Sequence, residues 1–141
     1  MKYIFILLFG ITSLFANEAT NLANKLHYFK SYNKALQLSQ KEQKLLMLII
    51  VEDGCHWCKK FARTTLSDTT VKQKLQSITK VMLDSYDKVS LTYEPKFFPM
   101  IYFINPNTQK VVDTAYGYQK KNGFLMHIQK ANKTYKKESS K

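Results

Sequence analysis

The two cysteines of the 141-residue chain, Cys55 and Cys58, lie three positions apart in the stretch Cys-His-Trp-Cys. A disulfide across so short a spacing closes a very small loop, and such a loop removes little chain entropy from the unfolded state. A purely structural bridge would therefore add little stability. Two thiols at this spacing suit reversible oxidation, in which one attacks a disulfide and the other completes the exchange. We therefore predict thiol–disulfide exchange as the chemistry of this pair.

The residues after the pair predict a helix over 59–66, so Cys55 is expected at a helix start. Unpaired backbone N–H groups and the positive end of the helix dipole stabilise a thiolate there. Such positions lower the pKa of a cysteine to about 3.5–7.5. Cys55 is thus the predicted exposed nucleophile. Cys58, one turn further in and more buried, is predicted to attack Cys55 in the mixed disulfide and release the client protein.

The two residues between the cysteines have candidate roles of their own. A protonated imidazole on His56 would stabilise the thiolate further. The alternative is an exposed histidine with no particular partner. Trp57 is predicted to form an apolar rim on which clients dock, rather than a part of the core.

Metal binding is the main alternative use of two thiols. Further ligands would have to come from His27, His56 or His127. His56 is fixed between the cysteines, and neither of the others stands at zinc-finger spacing. We therefore predict no metal and no cofactor. Copper handling by the thiol pair and a redox-inert binding module stay as alternatives, which metal content and thiol trapping distinguish.

The apolar pattern around the cysteines predicts a sheet covered by helices. Residues 45–51 form a continuous apolar run that ends in the turn-like Glu52-Asp53-Gly54, as expected of a strand buried on both faces. Residues 21–44 have the three-to-four spacing of an amphipathic helix. The remaining prediction is a short helical segment over 71–78, strands over 80–84, 100–104 and 111–116, a loop with some helix over 85–96, and a last helix from Lys121. This order indicates an α/β sandwich with a central mixed sheet.

The first residues indicate export. Met1-Lys2-Tyr3 and the largely apolar stretch from Ile4 to Phe15, followed by Ala16, have the layout of a secretory signal peptide. The apolar stretch is shorter than the roughly 20 residues that span a bilayer. We predict cleavage after Ala16, a domain over residues 17–141 and a periplasmic location. An uncleaved anchor is the alternative.

The formal net charge of +12 is carried by lysine, apart from Arg63. Proteins that read bases or grip phosphates depend heavily on arginine. We therefore predict a solvated lysine surface and no nucleic-acid partner. Attraction to anionic lipids or to acidic client proteins stays open.

The combination of these features resembles the thioredoxin-like superfamily. A buried strand, a Cys-x-x-Cys helix, a strand that begins after Pro99, a hairpin, Gly117 and a last helix follow the order of that family. The stretch from Gly54 to Phe61, continuing to Val71, is similar to small exported thioredoxin-fold proteins and to the periplasmic C-terminal domain of the transmembrane thiol–disulfide interchange reductase. The resemblance implies a thioredoxin-like sandwich with an extra N-terminal helix.

The same resemblance implies several roles at the site. It implies that the Phe98–Pro99 bond is cis beside the cysteines, and that the Phe98 backbone pairs with an extended client. Thioredoxins carry a buried aspartate, the proton acceptor for the second cysteine, at the position of Ile49. Either Glu52 or Asp53 substitutes for it through water, or both form a plain polar turn.

The implied function is an exported thiol–disulfide oxidoreductase that acts as a reductase in a periplasmic electron relay. Its partners would be client proteins with disulfides or thiols, and a membrane thiol–disulfide reductase would be the electron donor. A small domain with no dimerisation segment predicts a monomer.

Overall fold

The computed structural model describes residues 17–87, 89 and 93–140. The predicted signal segment therefore lies outside the described residues. Within them the chain forms a four-stranded mixed sheet with helices on both faces, which confirms the predicted α/β thioredoxin-like sandwich. None of the described helices is long and apolar enough to cross a membrane.

The sheet is built around β1 (Leu45–Val51), whose seven residues are all buried. The other strands are β2 (Ile78–Asp84), β3 (Met100–Ile104) and β4 (Val111–Tyr116), and the strand order is β2-β1-β3-β4. β1 pairs in parallel with β2 and antiparallel with β3, and β3 pairs antiparallel with β4. A strand with neighbours on both sides and helices on both faces must be apolar throughout, and this explains the uninterrupted run in the sequence.

The prediction of one helix over 21–44 is wrong, because two helices precede β1. These are α1 (Glu18–Leu26) and α2 (Tyr32–Glu42). Asn17 caps the first by accepting a hydrogen bond from the Thr20 N–H, and His27 ends it in the left-handed conformation, with φ 57°. Phe29 then forms an isolated parallel bridge with Val81 of β2. The bridge requires extended backbone and interrupts the helix.

The cysteine helix also differs in its bounds from the prediction of 59–66. α3 (His56–Phe61) begins directly after Cys55 and continues as a π-helical segment (Ala62–Leu66). α4 (Thr69–Lys74) is capped by Asp68 and runs into a short 3₁₀ turn (Leu75–Ser77). Ile78, predicted to be helical, is the first residue of β2, and the strand therefore starts two positions before the predicted one.

The two faces of the sheet bury separate clusters. α1, α3 and α5 (Lys121–Ser139) lie on one face, which we call the cysteine face, since Cys58 packs there with Ile49, Val51, Met82 and Phe124. α2 lies on the other face with Leu48, Ile50 and Leu83. Of the predicted loop over 85–96, the described residues are non-helical. Tyr93 from this loop packs against Tyr32 and Tyr102.

Candidate active site

The turn from β1 into α3 places Cys55 at the edge of the sheet. Gly54 has φ 75°, a left-handed conformation that glycine adopts without strain. The backbone N–H of Cys55 donates to the carbonyl of Glu52 at 3.1 Å, which closes the turn. Cys55 has extended backbone angles and is the N-cap residue of α3. The first cysteine therefore stands at a helix N-terminus, as the sequence predicts.

Cys55 and Cys58 are joined in a disulfide. The backbone N–H of Cys58 donates to Cys55 Sγ at 3.1 Å. This N–H is one of those at a helix start that have no partner within the helix. The same geometry would stabilise a negative charge on Cys55 Sγ after reduction.

The two cysteines differ in exposure. Cys58 is 1% exposed and packs in the core cluster with Phe61, whereas Cys55 is partly exposed and only borders that cluster. A reagent from solvent therefore reaches Cys55 first. Cys58 can act only on a group already bound to Cys55.

Trp57 lies outside the core and is 50% exposed. Its ring stands edge-on to His56, with centroids 5.4 Å apart, and tilted against Tyr118 at 5.6 Å. The ammonium of Lys60 lies 5.0 Å from the ring centroids of both Trp57 and Tyr118. This cation–π contact holds the exposed indole in place beside the cysteines. The Thr64 hydroxyl, 3.3 Å from Tyr118 Oη, and the Lys60 charge lower the pKa of Tyr118.

An open aromatic cleft of about 530 Å³ adjoins Trp57. We call it the aromatic cleft, and it is lined by Trp57, Phe97, Phe98, Tyr116, Gly117 and Tyr118. Phe97 and Tyr116 are largely exposed. Four residues at or beside the cleft were not among the predicted site residues: Lys60, Phe97, Tyr116 and Tyr118. Aromatic residues next to Pro99 and at the end of the last strand were the available signal.

The Phe98–Pro99 peptide bond is cis, and Pro99 is buried. The Pro99 carbonyl accepts a hydrogen bond from the N–H of Gly117 at 2.8 Å, which ties the start of β3 to the end of β4. Phe98 is half-buried and touches the clusters on both faces of the sheet. Phe98 therefore lines the aromatic cleft, and Pro99 is buried directly behind it in the chain without lining the cleft.

His56 and Glu52 lie near the disulfide without binding it. Both are exposed. Among the described residues, neither side chain donates to or accepts from a cysteine sulfur, and Glu52 contributes only its backbone carbonyl to the turn. Asp53 accepts a hydrogen bond from the backbone N–H of Glu18 at 2.8 Å. The roles given to His56 and Glu52 stay predictions.

The N-terminal helix is tied to the cysteine helix by charge. The carboxylate of Glu18 lies 3.2 Å from Nζ of Lys59, the residue that follows Cys58. Together with the bond to Asp53, this contact fixes the start of α1 on both sides of the cysteine turn. Sequence patterns gave no signal for this contact, because Glu18 and Lys59 are far apart along the chain.

No group of three or more histidine, cysteine, aspartate or glutamate side chains is placed to hold a metal ion in the part of the chain that the structure describes. His27 is the C-cap of α1, and His127 is hydrogen-bonded to Asp113. The three histidines and the cysteines are therefore not assembled into one site.

Comparison with known proteins identifies the fold family. The profile described as thioredoxin-like matches residues 28–106, more than half of the chain. The chain belongs to the thioredoxin-like family. The thiol:disulfide interchange protein DsbD of Tatumella citrea is 29% identical over 101 residues, which are 67% of this chain and 18% of that protein. The chain therefore matches a small part of this much longer relative.

Solved structures share the fold of this thioredoxin-like protein at low sequence identity. A thioredoxin from Thermus thermophilus has a TM-score of 0.68 and 19% identity, with 77% of this chain and 88% of that chain covered. The oxidised C-terminal domain of DsbD from Neisseria meningitidis has a TM-score of 0.55 and 18% identity, with 82% and 99% covered. These likenesses establish the thioredoxin fold around the Cys55–Cys58 disulfide.

Proposed function

We propose that this protein is an exported thiol–disulfide oxidoreductase that reduces client proteins through Cys55 and Cys58. The observation that carries the proposal is the asymmetry of the pair. Cys55 is partly exposed, its Sγ accepts an amide hydrogen bond at a helix start, and it stands two residues before Trp57 of the aromatic cleft, whereas Cys58 is buried. A disulfide that only stabilises the fold does not require one exposed and one buried cysteine.

The reaction takes two exchange steps. In the reduced protein, the Cys55 thiolate attacks one sulfur of a client disulfide, and the other client sulfur leaves as a thiolate that takes a proton from water. Cys58 then loses its proton and attacks Cys55 Sγ. The Cys55–Cys58 bond forms, the bond to the client breaks, and two electrons have passed to the client.

Clients dock in the aromatic cleft. Trp57 is half exposed and Phe98 is half-buried, and both line the cleft, whereas Pro99 is buried directly after Phe98 and keeps only its predicted role. An extended client segment can bury apolar side chains there while its cystine reaches Cys55. The Lys60 ammonium between the rings of Trp57 and Tyr118 favours clients with a carboxylate near the cystine.

The electron donor is a membrane thiol–disulfide reductase, and the protein acts as a periplasmic monomer. The signal-like segment before Asn17 supports export, and the similarity to part of a thiol:disulfide interchange protein supports the relay. An exported pair of cysteines works where disulfides persist, so it needs such a source of electrons.

Insulin reduction by dithiothreitol tests the proposal. The purified protein should accelerate the precipitation of insulin chains, and Cys55→Ser should abolish the acceleration. Cys58→Ser should instead accumulate a mixed disulfide on Cys55, visible by mass spectrometry. Lys74→Ser, exposed on α4, is the matched control and should match the parent. A parent protein that does not accelerate the precipitation, together with a Cys58→Ser protein that traps no mixed disulfide, would refute the proposal.

The reduction potential of the pair tests the direction of electron flow. Thioredoxin has a potential of about −270 mV, and the strongly oxidising periplasmic disulfide donor has about −120 mV. Equilibration with glutathione or dithiothreitol buffers should place this pair nearer the first value. A potential near the second would reverse the proposed direction.

A further inference from the structure

In the second exchange step, the thiol of Cys58 must lose its proton before its sulfur can attack Cys55. This inference rests on the proposed function and concerns the ionisation of Cys58, which is 1% exposed. A thiol in apolar surroundings resists ionisation, because burial penalises the charged form. Ile49 of β1, which belongs to the same buried cluster, cannot accept the proton, because its side chain is apolar. A proton acceptor must therefore come from another element of the cysteine face.

Asp84, the last residue of β2, lies on that face. Alternate residues of a strand point to the same side, and Ile78 and Met82 of β2 both pack in the cluster that contains Cys58. Asp84 lies two residues after Met82, so its side chain points to the same face. It pairs with Val51, the last residue of β1 before the turn to Cys55. It is 2% exposed.

Only one of the two carboxylate oxygens of Asp84 accepts hydrogen bonds. Its Oδ1 accepts hydrogen bonds from the Tyr86 N–H at 3.0 Å and from the Ser85 hydroxyl at 3.4 Å. Its Oδ2 is shielded from solvent and has no hydrogen-bond partner in the described part of the chain. A buried carboxylate oxygen without a partner is costly and rare. Such an oxygen suits a group that must bind a proton.

The other carboxylates at this edge of the sheet have different positions or partners. Asp53 accepts the Glu18 N–H, and the Glu18 carboxylate pairs with Lys59. Asp87 Oδ2 accepts the backbone N–H of Asp84 at 2.8 Å. Glu52 is exposed. The buried acceptor with a spare oxygen is therefore Asp84.

We propose that Asp84 is the proton acceptor for Cys58 when the mixed disulfide is resolved. The proton of the Cys58 thiol passes to Asp84 Oδ2 as Cys58 Sγ attacks Cys55 Sγ, and the client sulfur leaves as a thiolate. The Cys55–Cys58 bond forms and the bond to the client breaks, so charge and electrons balance. Asp84 returns the proton to solvent before the next turnover.

A pre-steady-state experiment on the full-length protein tests the assignment. Reduced protein is mixed with oxidised glutathione, quenched in acid at set times, and the mixed disulfide and the intramolecular disulfide are counted by mass spectrometry. Asp84→Asn should leave the rate of mixed-disulfide formation within about twofold of the parent. It should slow resolution at pH 7 by about 100-fold, which is the lower end of the range for a general acid or base.

The pH profile separates a proton acceptor from a merely structural residue. In Asp84→Asn the resolution rate should rise about tenfold per pH unit through the neutral and mildly alkaline range, because the buried thiol must then ionise without an acceptor. The parent should show a shallower rise. Asp87→Asn, which keeps an oxygen for the Asp84 N–H, is the matched control and should follow the parent.

Three outcomes would count against the proposal or against the function on which it rests. An Asp84→Asn protein with the parent's resolution rate and pH profile would overturn the role of Asp84 and leave the exchange reaction intact. Equal slowing of both steps together with a lower melting temperature would show a structural role and would also overturn it. A parent that forms neither the mixed nor the intramolecular disulfide would refute the oxidoreductase function itself.

Discussion

Two buried carboxylates on the cysteine face, Asp84 on β2 and Asp113 on β4, have opposite surroundings. They lie on the two outer strands of the sheet. Asp113 Oδ2 is 2.6 Å from His127 Nδ1, and Asp113 Oδ1 is 2.6 Å from Lys130 Nζ, both on α5. Asp84 has no cationic partner in the described residues, and one of its oxygens has no partner of any kind.

The difference indicates what each carboxylate does. The Asp113 side chain is 3% exposed, and both of its oxygens bind groups of the helix that covers it. The hydrogen bond and the charge of Asp113 raise the pKa of Lys130. Asp113 therefore holds α5 on β4. Asp84 binds only groups of its own turn, and its unpartnered oxygen reduces stability at the edge of the sheet next to the cysteine turn. Local instability of this kind is common at functional sites.

The largest expected effect is that of Asp113→Ala. Removing the carboxylate leaves His127 and Lys130 without their shared acceptor, but both side chains reach solvent and can be hydrated. The free energy of unfolding should fall by about 2 kcal/mol, less than for a fully buried pair. Urea denaturation measures it, and disulfide exchange per folded molecule should not change. An unchanged urea midpoint would mean that Asp113 is not a clamp.

Asp84→Asn should change stability in the opposite direction. A neutral amide costs less to bury than a carboxylate with an unpartnered oxygen, so the free energy of unfolding should rise by about 1 kcal/mol. Urea denaturation of the oxidised protein at pH 7 measures the gain, with Asp87→Asn as the control. A loss of stability would show that Asp84 is needed for the fold, and the contrast with Asp113 would disappear.

A smaller effect is expected from His127→Gln. Glutamine can still donate to Asp113, and Lys130 keeps its contact with the other oxygen. The free energy of unfolding should fall by about 0.5 kcal/mol, at the low end for one hydrogen bond. A double-mutant cycle with Asp113→Ala measures the coupling. A cycle with no coupling energy would remove His127 from the clamp.

The smallest effect is a dependence on alkaline pH. The pKa of Lys130 is raised in the folded protein, so its contribution is complete below the unfolded-state value of about 10.4 and is lost as the pH rises through the folded value. The stability difference between the parent and Lys130→Met should therefore be constant from pH 6 to 9 and shrink above pH 10.5 or so. Thermal melts across this range provide the measurement. A difference that grows with pH would contradict the assigned ion pair.

The strands were the predictable part of the fold. β1, β3 and β4 have the predicted bounds, because continuous apolar or β-branched runs between turns have few alternatives. The break between α1 and α2 was not predictable. The helical spacing continues through it, and both helices end in left-handed residues that are not glycine, His27 and Gln43. The cause of the break, the bridge at Phe29, is a tertiary contact.

The candidate site also has a part that the sequence predicts and a part that depends on tertiary contacts. The cysteine pair and Pro99 could be chosen from spacing along the chain, because the chemistry depends on neighbours in sequence. Lys60 between two rings and the buried position of Asp84 depend on helix contacts and strand register. In the sequence Asp84 ends a short strand before a polar loop, as a surface turn residue would.

The bridge at Phe29 also bears on aggregation. A strand at the edge of a sheet exposes unpaired N–H and carbonyl groups to which another chain can add. Phe29 occupies part of the β2 edge, because its N–H donates to the Lys80 carbonyl at 2.9 Å and its carbonyl accepts the Met82 N–H at 3.0 Å. At the opposite edge, β4 carries the inward-pointing charge of Asp113, which strand-to-strand polymers accommodate poorly. The sheet is thus protected against intermolecular strand pairing at one edge by a backbone cover and at the other by a buried charge.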